Sequence, residues 1–106
     1  MPPFPVPFIQ AAGNVITPAT PVFGGQRGFN STIAHGATGT FTLTLDQDVD
    51  AAQSVALGCL ASGALGSDAS IDVSRPNDST VLVLTRSAGA LADLPFSIAI
   101  FPIPVG

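Results

Sequence analysis

Residues 40–46 read "TFTLTLD", and the alternation in that stretch decides the fold class. Phe41, Leu43 and Leu45 occupy every second position, with Thr40, Thr42 and Thr44 between them. Successive side chains of an extended chain point to opposite faces, so one row meets a core and the other meets solvent, which defines a half-buried β-strand. The same period returns in "QSVALGCL" (53–60), with Val55, Leu57 and Cys59 as the apolar row, and in "SIDVS" (70–74), where Ile71 and Val73 flank Asp72. Between "SIDVS" and "TVLVLT" (80–85), the segment "RPNDST" supplies Pro76, Asn77 and Asp78. These residues preset φ or tolerate turn geometry, which predicts a hairpin over residues 70–86. Farther on, "PFSIAIF" (95–101) sends Phe96, Ile98 and Ile100 inward, and upstream "NVIT" (14–17) and "FNSTI" (29–33) are further strand candidates.

In "TVLVLT" both parities are apolar, Val81 and Val83 against Leu82 and Leu84. A strand of that kind is covered on both faces, here by the core and by a neighbouring subunit. Helix has little room, because "LDQDVDAAQ" and "SAGALADL" are too short or carry glycine. Short strands separated by Gly, Asn, Asp and Ser predict an all-β antiparallel β-sandwich or jelly-roll-like barrel. The 106 residues fit one domain.

The two ends differ from this body. "MPPFPVPF" opens the chain and "FPIPVG" closes it, with proline at alternate positions. The division expected is an extended N-terminal arm and hinge over 1–28, a sandwich body over 29–101 and an apolar tail over 102–106. Pro3, Pro5 and Pro7 remove the hydrogen-bond donor from one edge of an extended ribbon, and Phe4, Val6 and Phe8 share one face. At the other end Phe101, Ile103 and Val105 share a face. Burying these six side chains contributes roughly 9 to 18 kcal/mol gross, and proline lowers the ordering cost because its φ is already restricted. Two destinations are open: the ribbons fold back on their own domain as edge strands, or they dock on another subunit. The small internal surface of a sandwich this size favours the second. The interface residues are then Phe4, Val6, Phe8, Leu82, Leu84, Phe101, Ile103 and Val105.

Composition narrows the function classes. The chain is 46% hydrophobic and 9% charged, against about 25% charged in ordinary soluble domains. A net charge of −4 with scattered Arg27, Arg75 and Arg86 provides no basic stripe for nucleic acid. No apolar run is long enough for a membrane span, and the first residues lack a secretory pattern, so the expected site of synthesis is the cytosol.

The chemical motifs are incomplete. Asp46, Asp48 and Asp50 start like a calcium loop, but Ala51 stands where the turn glycine belongs and Leu57 where the bidentate acid belongs. His35 is the sole histidine and Cys59 the sole cysteine, the latter expected to be buried as a small hydrophobe. "GGQRG" (24–28) lacks the lysine and hydroxyl of a phosphate loop and reads as a hinge. Asn30 and Asn77 match glycosylation acceptors, which carries meaning only for a secreted chain. With no Trp or Tyr, the usual aromatic platform for sugars or bases is missing. The expectation is a protein without enzymatic activity, cofactor or metal.

Residues 39–101 resemble the small all-β structural proteins of tailed-bacteriophage virions. In that family a "G-x-(F/Y)-T-(V/L)-x-L" strand opens the domain and a "D-x-x-F-x-(I/V)-x-(I/V)-F" strand ends it. Gly39, Phe41 and Thr42 begin the first; Asp93, Phe96, Ile98, Ile100 and Phe101 match the second, with Pro95 and Ala99 at its central positions. The resemblance implies a structural or decoration role in a capsid, neck or tail, with repeated copies, arms on neighbours and other virion proteins as partners. It implies no shared functional residue. The alternative is a receptor- or glycan-binding sandwich of adhesin type in contact with a host surface.

Overall fold

The computed structural model describes residues 11–16, 20–60 and 69–102. Its strands are β1 (Ala11–Val15), β2 (Phe23–Arg27), β3 (Phe29–Ala37), β4 (Thr40–Leu45), β5 (Ser54–Leu60), β6 (Ala69–Ser74), β7 (Thr80–Ser87), β8 (Ala90–Leu91) and β9 (Phe96–Pro102). Among the described residues the helical content is a single 3₁₀ turn, Ala51–Gln53, capped by the Asp50 carboxylate on the Ala52 amide.

Two antiparallel sheets pack face to face as a β-sandwich. Sheet A has the order β2-β1-β9-β5, and sheet B the order β3-β4-β7-β6, with β8 paired to the end of β7. The alternations set the faces. Phe41, Leu43 and Leu45 of β4, Val81 and Val83 of β7, and Phe96, Ile98 and Ile100 of β9 are buried, joined by Ala11, Val15, Phe29 and Ile33. Ile71 and Val73 of β6 pack against this core, as the period of "SIDVS" requires. The Phe41 and Phe96 rings join the two sheets with centroids 5.0 Å apart.

Three expectations are corrected. Ala11–Val15 and Phe23–Arg27 lie in a stretch expected to be arm and hinge, with "NVIT" (14–17) as its one strand candidate, yet both are strands, and β1, which takes in Asn14 and Val15, sits inside sheet A between β2 and β9. Its sequence, "AAGNV", lies between the proline clusters and keeps every N–H, so nothing blocks its ladders. The "GGQR" stretch is edge strand β2, and the chain passes from sheet A to sheet B at Gly28, φ +77. Finally, Val55, Leu57 and Cys59 face outward, and Cys59 is exposed. The inward row of β5 is Ala56, Gly58 and Leu60. A Cβ on Gly58 would lie 2.6 Å from Val73 Cγ2 and 3.1 Å from Ile71 Cδ1, so the sheets approach too closely here for large inward residues.

Turn chemistry holds sheet B in register. Gly39, φ +69, ends the two-residue turn between β3 and β4, where a Cβ would lie 2.6 Å from the Thr85 carbonyl oxygen. Ala88 (φ 54) and Gly89 (φ 83) form the turn between β7 and β8, both in the left-handed region that a type I′ hairpin requires.

Candidate functional site

The outer face of sheet A is built from the residues left over once the core is assigned. Along β1 and β9 these are Ala12 opposite Ala99 and Asn14 opposite Ser97. On the β5 side, Leu57 lies beside Ala99, Cys59 beside Ser97 and Val55 beside Phe101. On the β2 side, Arg27 lies beside Ala12. Small side chains thus form the middle of the face, and Leu57, Phe101 and Arg27 rise on either side. The result is an open trough of about 570 Å³. Leu57 is 56% exposed and Val55 40% exposed, high values for apolar residues one position apart on the same face.

The trough lies next to the first residue of β1 and the last residues of β9. Ala11 pairs with Ile100, so the chain enters β1 and leaves β9 at the same end of sheet A, the end marked by Phe101 and Val55.

Of the interface residues expected from the sequence, Phe4, Val6, Phe8, Ile103 and Val105 lie outside the described residues. Phe101 is half-buried at the trough rim. Leu82 and Leu84 are half-buried on the outer face of sheet B, away from the trough. Leu82 lies between Thr42 and Ser74, and Leu84 between Thr40 and Asp72, so polar neighbours break that face into single apolar spots.

His35 is tied into the opposite layer. Its ring stacks on Phe41, with centroids 4.6 Å apart and planes 8° from parallel. Its Nε2 is 2.8 Å from Asp93 Oδ1, and the same oxygen accepts the Gly39 amide at 2.6 Å. Asp93 therefore fastens the β3–β4 turn to the segment entering β9. The structure brings His35 to an acid 58 residues away, a pairing without a local sequence signal. It does not bring His35 to Cys59, whose strand belongs to the other sheet.

The acidic loop is anchored by a guanidinium. Arg75 Nη2 donates to the Val49 carbonyl at 2.6 Å and the Asp78 carbonyl at 3.1 Å, Nε to Thr80 at 3.0 Å, and Nη1 to Ser54 Oγ at 2.8 Å. The Asp78 carboxylate in turn accepts the Ala51 amide at 2.8 Å. Asn77 Oδ1 accepts from the Ser79 and Thr80 amides and hydroxyls, which closes the β6–β7 turn. Among the described residues, no three His, Cys, Asp or Glu side chains cluster as metal ligands. No helix among them is long and apolar enough to cross a membrane.

Comparison with protein-family models, curated proteins and solved structures finds no match for this chain.

Proposed function

We propose that this chain is a non-enzymatic structural or decoration protein of a bacteriophage virion, assembling as a homo-oligomer and onto other virion proteins through its proline-alternating ends. The observation that carries the reading is the pairing of Ala11 with Ile100. It brings the start of β1 and the end of β9, to which the sequences "MPPFPVPF" and "FPIPVG" are joined, to one end of one sheet beside an open apolar trough. Apolar alternating sequences of this kind on a protein with only 9% charged residues favour association. Phe4, Val6, Phe8, Phe101, Ile103 and Val105 form the principal contact, with Leu82 and Leu84 as a second, smaller one. The resemblance of residues 39–101 to phage structural proteins supplies the virion setting.

The non-enzymatic part of the reading is supported by how the reactive side chains are used. His35 spends its ring on Phe41 and Asp93, and Cys59 stands on the other layer.

Native mass spectrometry of the full chain, with and without an excess of a synthetic peptide of residues 1–10, tests the assembly. One discrete oligomer that the peptide dissociates is the expected result. A monomer at every concentration contradicts it, and saturable binding of an external ligand by that monomer would favour the adhesin-type module instead.

A further inference from the structure

The outer face of sheet A carries an apolar trough, and the N-terminal sequence carries large apolar residues at alternate positions. Along β5 the exposed row runs from Val55 to Cys59, four residues of extended chain or about 13 Å. In the ribbon, Phe4, Val6 and Phe8 span the same four-residue interval on one parity. A ribbon laid along the strand direction presents a large side chain every two residues, about 6.6 Å apart. Ala99 and Ser97 stand at that same two-residue interval along β9, with Ala12 beside Ala99 and Asn14 beside Ser97. The trough offers one cation, Arg27, at its rim, and the ribbon brings no charged side chain to it.

Two occupants compete for this trough, the chain's own N-terminal ribbon and that of another copy. The ribbon joins β1 at the end of sheet A, so covering its own trough requires reversal next to Ala11. A following proline disfavours the helical region at Pro2, Phe4 and Val6. No Gly, Asn or Asp occurs between residues 1 and 10 to supply a tight turn. Such a sequence disfavours the reversal that covering its own trough requires. Ten residues reach at most about 33–36 Å, enough to lie across a neighbour's trough.

We infer that the trough on the outer face of sheet A, floored by Ala12, Ala99 and Ser97 and walled by Leu57 and Phe101, is the seat for the Phe4–Phe8 ribbon of a second copy of this chain. The inference rests on the assembly reading above and gives it a receiving site.

The test uses full-length chains. Leu57→Asp places a charge in the seat at a position already 56% exposed, and its folding is checked by circular dichroism. Sedimentation should show the oligomer weakened by about 10- to 100-fold in dissociation constant, and Phe4→Ser/Val6→Ser/Phe8→Ser should weaken it at least as much. Cys59 then serves as a probe. Chains carrying Cys59→Ser with Phe4→Cys, Val6→Cys or Phe8→Cys are mixed with wild-type chains and oxidised. Disulfides between Cys59 and one of these positions should form between chains, while Pro5→Cys and Pro7→Cys, on the other parity, should give none above background. An oligomer lost in the triple variant but unchanged by Leu57→Asp overturns the seat and leaves the assembly reading standing. An oligomer indifferent to both sets of substitutions overturns the two together. In a chain carrying Phe8→Cys with its own Cys59, a disulfide within one chain and none between chains overturns the second-copy assignment.

Discussion

Arg75→Ala should destabilise this protein more than any other single loss of charge. The guanidinium makes three part-buried hydrogen bonds, to the Val49 carbonyl at 2.6 Å, Ser54 Oγ at 2.8 Å and the Thr80 carbonyl at 3.0 Å. The exposed bonds to the Asn77 and Asp78 carbonyls are replaced by water on truncation and are left out of the sum. Each part-buried bond contributes about 1 kcal/mol net, which gives about 3 kcal/mol in all. Against a typical total stability of about 5–15 kcal/mol, that is a large fraction. In a domain of this size it lowers Tm by roughly 12–24 °C. Urea and thermal unfolding followed by circular dichroism measure both quantities. Arg75→Lys keeps the charge but cannot reach three acceptors from one nitrogen, so it should recover about 1 kcal/mol. A loss below about 0.5 kcal/mol for Arg75→Ala would refute the reasoning, because the loop over residues 46–50 would then hold its place without the guanidinium.

Other substitutions probe the turns and the histidine. Gly39→Ala should cost about 3 kcal/mol or more in urea unfolding, since it combines φ +69 with a Cβ 2.6 Å from the Thr85 carbonyl oxygen. Ala88→Asn, at φ 54 before Gly89, should raise stability by about 0.5–1 kcal/mol, because Asn-Gly is the preferred pair in a type I′ turn. His35→Phe keeps the stack on Phe41 and loses the bond to Asp93, with an expected cost of about 1 kcal/mol, while His35→Ala loses both and should cost about 2–3 kcal/mol. Equal losses for the two histidine variants would show that the stack contributes nothing.

The inward faces of β4, β6, β7 and β9 were legible in the sequence because large apolar residues stand there at strict alternation. β5 was misread for a physical reason. Its large residues, Val55, Leu57 and Cys59, obey the same period, but the space inside belongs to Ile71 and Val73 of the opposite sheet, which press on Gly58. Hydrophobic period gives the two faces of a strand without saying which is inward when one holds small residues and the other large ones. The misread row is also what makes the trough apolar, so the error and the candidate site have one origin.

β1 is legible only at its C-terminal end, where "NVIT" overlaps it at Asn14 and Val15, because the flanking prolines mask the start of "AAGNV", which itself contains none. The hairpin at Ala88–Gly89 was missed because alanine is an uncommon choice at a positive φ. The His35–Asp93 pair and the reach of Arg75 to Val49 depend on contacts across 58 and 26 residues, which only the assembled sandwich brings together.

The central claim is that the proline-alternating ends hold copies of this protein together. Light scattering coupled to size exclusion, at several concentrations, compares the full chain with residues 11–102, a segment that retains all nine described strands. The expected result is an oligomer for the full chain and a folded monomer for the shortened one. The same mass state for both, whether monomer or oligomer, would contradict the claim.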